Sequence, residues 1–287
     1  MQTNTVCQKD RQLLIVKTAE YPKDRDVLSR INKNIAYVKK HYPDIAQTVV
    51  AYNENQLIIS GVQGVSFTSE SAVNVYSHNE WILDSIIDIL NRFQKNEYFH
   101  IPLSIKIRIL FYPVLRGALL GCRIFPGVIK SLAHLLVSKV PWVDSHCDFT
   151  VYNLIVNDEL KSVSLVDWET FCVMPKYYDF FNLIFNHSIS IEKMTWQHTL
   201  AEKYWNSGKR DELTSDWAHK AAIFVLFRYY FSEVYRQKNI SRDQIKSKYP
   251  GKKLDFFKIR ADIRLENLTN LTNINNWNKL IGQWTWG

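Results

Sequence analysis

The chain has 287 residues, 46% of them hydrophobic and 22% charged, with a formal net charge of +8. That balance excludes a disordered or collagen-like chain and suits one large domain or two lobes sharing a cleft. Its four cysteines form no C-x-x-C pair, which argues against a zinc site or disulfide scaffold and makes a reducing cytoplasm the expected compartment.

In chain order, Arg11–Thr18 (RQLLIVKT) reads as a buried strand ending near Lys17. Asp24–His41 reads as a helix with Val27, Ile31, Ile35 and Val38 on one face, stopped by Pro43. Gln47–Tyr52 and Gln56–Ser60 flank the polar turn Asn53-Glu54-Asn55 and predict a hairpin. Gly61-Val62-Gln63-Gly64 then reads as a hinge. Beyond it the pattern is helical: Trp81–Phe93, at least two helices within Ile105–Lys139, then Thr195–Trp205, Asp216–Tyr235 and Leu254–Leu271. The aromatic-rich end, NNWNKLIGQWTWG, has no assignment from pattern alone. A strand-rich front of residues 1–64 and a helical rear of residues 65–287 carrying the catalytic loop are the expected divisions.

The 105–139 segment is apolar but interleaved with Lys106, Arg108, Arg116, Arg123 and Lys130. Two readings of it stand. The favoured one is a core helix pair whose basic residues face water; the other is peripheral contact with a membrane surface, placing the protein at the inner face of the membrane. The polar N-terminal residues contain no signal-peptide core, and no run of about 20 uncharged apolar residues predicts a membrane span. Nucleic acid is not an expected partner, because no recognised binding motif accompanies the charge.

Ser145–Phe180 carries the chemistry. Asn153 follows Asp148 by five residues, His146 precedes it by two, and Asp167 lies 14 residues beyond Asn153 after an intervening turn and strand. Phosphoryl transfer to a hydroxyl needs a group that orients the nucleophile and takes its proton, and oxygen ligands that hold a cation against the phosphates. Asp148 suits the first task. Asn153 and Asp167 suit the second, with an amide oxygen and a carboxylate for magnesium. Lys17, a strand-end lysine, either contacts phosphates as a point charge or is merely solvated. His146 reads as structural, its ring bonding backbone within the loop.

These segments, HCDFTVYNLIV, VSLVDWE and PKYYDFFNL, resemble the signature of the aminoglycoside phosphotransferase and choline kinase-like family. The resemblance implies an α+β, bilobal protein-kinase-like fold with a reduced strand-rich N-lobe and a large, mainly helical C-lobe. It also implies ATP or GTP as donor, magnesium, and a sugar, glycan or other small-molecule hydroxyl as acceptor. The net positive charge ranks a glycan or anionic acceptor above a cationic one, and the membrane-surface reading of 105–139 would make it lipid-linked. By the match, Asp148 is the catalytic residue, Asn153 and Asp167 are metal ligands, and Asp179 ties the catalytic loop together. Lys17 and the hinge backbone of Gly61 and Val62 are the expected nucleotide contacts, and Glu169 either joins the metal environment or makes a structural hydrogen bond.

Four departures stand out. Cys147 occupies a position where glycine is usual, a tolerable change if its backbone is not left-handed. Only 16 residues, none of them glycine, precede Lys17, which is too short for a normal strand–glycine-rich loop–strand hairpin. The helix after Lys17 has no Glu to pair with it; Lys33 or Asn34 falls at that position, with Asp24 or Asp26 as substitutes. The hinge lacks an acidic residue. These departures motivate the alternative of a catalytically weak, kinase-like binding module.

Overall fold

The computed structural model describes residues 2–9, 12–66, 79–186, 195–239 and 256–283. Ten strands are described: β1 Gln2–Lys9, β2 Gln12–Ala19, β3 Val49–Asn53, β4 Gln56–Ser60, β5 Val65–Ser66, β6 Glu97–Tyr98, β7 Trp142–Ser145, β8 Leu154–Asn157, β9 Ser162–Leu165 and β10 Cys172–Pro175. The helices are α1 Pro22–His41, α2 Glu80–Phe93, α3 Leu103–Leu119, α4 Pro126–Val137, α5 Tyr178–Asn186, α6 Thr195–Tyr204, α7 Arg210–Leu213, α8 Asp216–Asn239, α9 Phe256–Leu271 and α10 Ile274–Gln283. Packing groups the chain into two compact units: Met1–Lys95 with Asp144–Val173, and Asn96–Val143 with Met174–Gly287. The Asp144–Val173 segment thus groups with the strand-rich front, whereas the sequence reading set it in the 65–287 lobe.

The first unit is built on a four-stranded antiparallel sheet in the order β1-β2-β4-β3. An eight-residue strand, β1, does precede the lysine strand and pairs with it from Gln2↔Ala19 to Lys9↔Gln12. The sequence reading missed it because QTNTVCQK is polar and lies at the sheet edge, where Thr5 and Val6 are exposed. Asp10 and Arg11, between β1 and β2 in sequence, lie outside the described residues. Helix α1 buries Leu28, Ile31, Ile35 and Val38, with Leu28 rather than Val27 completing the apolar face. Its first turn is closed by Asp24, whose carboxylate accepts the Tyr21 N–H at 3.0 Å.

Gly61 is required by close approach: its N–H donates to Leu13 O at 2.7 Å, and a Cβ there would overlap the Leu13 side chain. Gly64 has φ +140 and lies against the Val156 carbonyl, a placement that a side chain would obstruct. The chain then enters β5, which pairs with β8, and β8 pairs with β9. The strand that directly follows the expected hinge is therefore paired with Leu154–Asn157.

The second unit forms around α8, whose consecutive residues Ala221–Phe227 are all buried. A helix apolar on every side needs neighbours on every side, and α3, α4, α5 and α9 pack against it. Glu233 on α8, only 1% exposed, accepts from Arg260 at 2.9 Å, so the buried carboxylate is paired. The basic stretch at 105–139 forms α3 and α4; α3 runs through Pro113 and Gly117 and ends before Gly121, whose φ is +72. The chain end left unassigned by pattern contains α10, with Trp277 buried against the Phe181 and His219 rings. The helix expected from Leu254 is described from Phe256, and the first two of its expected residues lie outside the described set. No helix among the described residues is long and apolar enough to cross a membrane.

Candidate active site

The loop after β7 has an unusual burial pattern. From Pro141 to Val151 every residue is buried except Asp148. A carboxylate is thus presented to solvent from a segment otherwise packed in the interior. Asn153 holds it there: its Nδ2 donates to the Asp148 carbonyl at 2.8 Å and to Asp148 Oδ2 at 2.9 Å. With Nδ2 so committed, Oδ1 is the acceptor atom of the half-buried Asn153 side chain.

Beneath the loop, His146 is fully buried and its Nε2 bonds the Val166 carbonyl at 2.9 Å. The sequence-based expectation that His146 bonds loop backbone agrees with this geometry. Burial pushes its imidazole below the ordinary range, although the Asp148 and Asp167 carboxylates pull the other way. His146 also packs edge-on to Trp168, 4.9 Å between centroids, and Thr170 Oγ1 donates to the His146 carbonyl at 2.9 Å. Val166 N–H in turn donates to Asn153 O at 2.9 Å. The Asp148 loop and the Asp167 segment are therefore cross-tied through backbone and imidazole.

Lys17 is buried, 7% exposed, and its Nζ lies 2.9 Å from Asp167 Oδ1. It is not a solvated strand end. Helix α1 supplies no carboxylate to it; instead α1 grips the segment after Asp167. Asn34 Nδ2 donates to Trp168 O at 2.8 Å, and Arg30 pairs with Glu169 at 3.3 Å. Asn34 thus stands where a pairing Glu was expected and fixes Trp168 backbone. Glu169 is engaged by Arg30, the structural role of the two considered for it.

Two residues of these segments have left-handed backbone, Cys147 at φ 66 and Asp167 at φ 67. Aspartate tolerates this region, whereas for cysteine it costs roughly 1 kcal/mol. The condition on which the Cys147 substitution was judged tolerable is therefore not met. The conformation persists because the loop is over-determined: Cys147 N–H donates to Ser145 Oγ at 3.3 Å and its side chain is buried. Asp144, 2% exposed, accepts from Tyr42 OH at 2.7 Å and Tyr37 OH at 3.2 Å, and anchors the base of the loop. Pattern reading missed Asp144 and both tyrosines, since their partners lie more than 100 residues away.

Gly61 spends its N–H on the carbonyl of Leu13, four positions before Lys17. Asp179 is buried in the first turn of α5.

The donor set fits magnesium. Asp167 is partly exposed and Lys17 takes one of its oxygens, and Asn153 Oδ1 is a hard oxygen donor of the kind magnesium takes. Among the described residues no cage of three His, Cys, Asp or Glu side chains is present. Magnesium is commonly held by one or two protein oxygens together with substrate phosphates and water, so two ligands suffice.

The buried histidines carry a testable consequence. His219, 1% exposed, bonds the Leu271 carbonyl through Nε2 at 2.6 Å, and burial lowers its pKa as it does that of His146. Folded pKa values below the unfolded value of about 6.5 mean that, as pH falls past that point, the unfolded chain binds protons that the folded chain refuses. Stability is full above about pH 6.5 and declines below it, by at most about 1.4 kcal/mol per pH unit per histidine. Urea unfolding at pH 8 and pH 5.5 reads this loss. His219→Gln, which retains a donor for Leu271, makes the pH dependence shallower; an unchanged profile counts against the assignment.

A model of the phosphotransferase enzyme family matches residues 57–213, more than half of the chain. No curated protein matches it in sequence. Among solved structures, the choline kinase LicA from Streptococcus pneumoniae is similar at 14% identity and a TM-score of 0.57, over 93% of this chain and 89% of that one. A Plasmodium vivax ethanolamine kinase is similar at 14% identity and a TM-score of 0.56, over 93% and 82%. The streptomycin–ATP ternary complex of APH(2")-IIa gives 14% identity and a TM-score of 0.59, over 88% and 90%. At these identities the likeness is one of fold, and the fold they share is the protein-kinase-like one.

Proposed function

This chain belongs to the phosphotransferase enzyme family, as a small-molecule kinase with a hydroxyl acceptor, and from that premise we propose how its residues divide the work and which acceptor it takes. The carrying observation is Asp148, the one exposed residue in an otherwise buried loop, clamped by Asn153. Asp148 orients the acceptor hydroxyl and accepts its proton. Lys17 neutralises donor phosphate charge from the floor of the sheet, within reach of Asp167. Asn153 and Asp167 hold magnesium, which when bound offsets the phosphate charge that repels the nucleophile. The Gly61 carbonyl and the Val62 backbone receive the base of ATP or GTP. Catalysis on this reading is positioning plus charge neutralisation.

The acceptor is a sugar or glycan hydroxyl, on an anionic or lipid-linked molecule rather than a cationic one. The net charge of +8 supports this, as does the complete lack of Asp or Glu from Tyr98 to Val143. Within that stretch the outer face of α3 exposes Ile105, Tyr112, Leu115 and Leu119 beside Arg108 and Arg116. An apolar stripe beside two arginines suits the surface of an anionic bilayer. The other face of α3, Leu110, Val114 and Gly117, is core, and Lys106, expected to face water, is buried with it.

One assay tests the reading. Magnesium-dependent phosphate transfer from ATP is measured to anionic glycans, neutral sugars, choline and an aminoglycoside in solution, and to glycolipid in anionic vesicles recovered by flotation. Transfer to the anionic or vesicle-borne acceptors, with the protein floating at low salt, is the expected result. Preferential transfer to choline or the aminoglycoside, with no vesicle binding, rejects it.

A further inference from the structure

We propose that Cys147 and Cys172 form a modification site, in which exchange with a small-molecule disulfide such as oxidised glutathione links them and suppresses phosphoryl transfer. The two Sγ atoms lie 3.1 Å apart although the residues are 25 positions apart in sequence. Neither position is free to drift. Cys147 is held by its left-handed backbone and by Ser145, while Cys172 opens β10 just beyond Thr170, which is tied to the His146 carbonyl. Cys172 is half-buried and Cys147 buried, so an external reagent meets Cys172 first. Cys122 is buried and burial pushes its thiol up, which disfavours competing exchange there.

The chemistry balances as two exchanges. The Cys172 thiolate attacks one sulfur of the small disulfide, and the first small thiolate leaves. The Cys147 thiolate then attacks Cys172 Sγ, and the second small thiolate leaves. The two thiol protons pass to the departing thiolates, the protein loses two electrons and the reagent gains them.

The consequence for activity rests on the reading of Asp148 as base. Bond formation draws the sulfurs from 3.1 Å to about 2.05 Å. Cys147 immediately precedes Asp148, so the closure displaces the one exposed carboxylate of the loop. A misplacement of about 1 Å at a reacting group costs on the order of a hundredfold in rate.

The test treats the purified full chain with oxidised glutathione, alkylates the remaining thiols and combines intact mass, peptide mapping and phosphate transfer. The expected result is the loss of two hydrogens, a 147–172 linked peptide, and a fall in transfer on the order of a hundredfold that dithiothreitol reverses. Cys172→Ser, or Cys172→Ala if the serine variant folds poorly, retains basal transfer and resists the oxidant. A glutathione adduct with no 147–172 link overturns the site, and a complete link with unchanged transfer overturns the suppression. Because mass reports the link without any turnover, failure of the modification is distinguishable from failure of the catalytic reading.

Discussion

Asp148→Asn is expected to lower kcat by about a thousandfold, within the range that a positioned general base supplies, while leaving the melting temperature within experimental error. The substitution keeps shape, and the new side chain still presents an oxygen to Asn153 Nδ2, now 2.9 Å from Asp148 Oδ2. Because Asp148 is exposed, neither packing nor a buried charge is disturbed. The KM for nucleotide should change little, since Asp148 acts on the acceptor. Wild-type turnover in the folded variant would remove Asp148 from the mechanism.

Asp167→Ala is expected to act on both stability and catalysis, and the two can be separated. It strands a buried lysine, because Lys17 is 7% exposed and Asp167 is its 2.9 Å partner. The pair is half-open on the aspartate side, so a loss of about 1–2 kcal/mol is expected, below the figure for a fully buried pair. It also removes the carboxylate proposed to hold magnesium. The wild type should gain about 2.7 kcal/mol from magnesium–ATP at a hundred times its dissociation constant, and Asp167→Ala should lose the magnesium-dependent part of that gain. Adding Lys17→Met removes the stranded charge and restores stability without restoring transfer. If the wild type shows no magnesium-dependent nucleotide stabilisation at all, the kinase-like binding module replaces the catalytic reading.

What was legible in the sequence is what short-range chain geometry dictates. Asp148 and Asn153 are five residues apart and clasp each other directly. Helices α1 and α2 announced themselves through apolar positions at helical spacing, and the β3–β4 hairpin through its polar turn. Edge strand β1 did not, because QTNTVCQK is polar and carries no apolar alternation. Nor did α10 within the aromatic-rich end.

The remaining site features were decided by tertiary contacts. Lys17 and Asp167 meet across 150 positions, and no local spacing can tell a buried, paired lysine from a solvated one. Asn34 likewise could be read only as a missing Glu until the fold set its amide on Trp168. The backbone of Cys147 is the clearest case. A cysteine in place of a glycine states no φ; the left-handed turn is imposed by Ser145, His146 and the strands on either side, and it brings the sulfur to Cys172. Residue identity and spacing determined which groups could do the chemistry. Packing decided which are exposed, paired and poised, because burial and long-range hydrogen bonds exist only once distant segments meet.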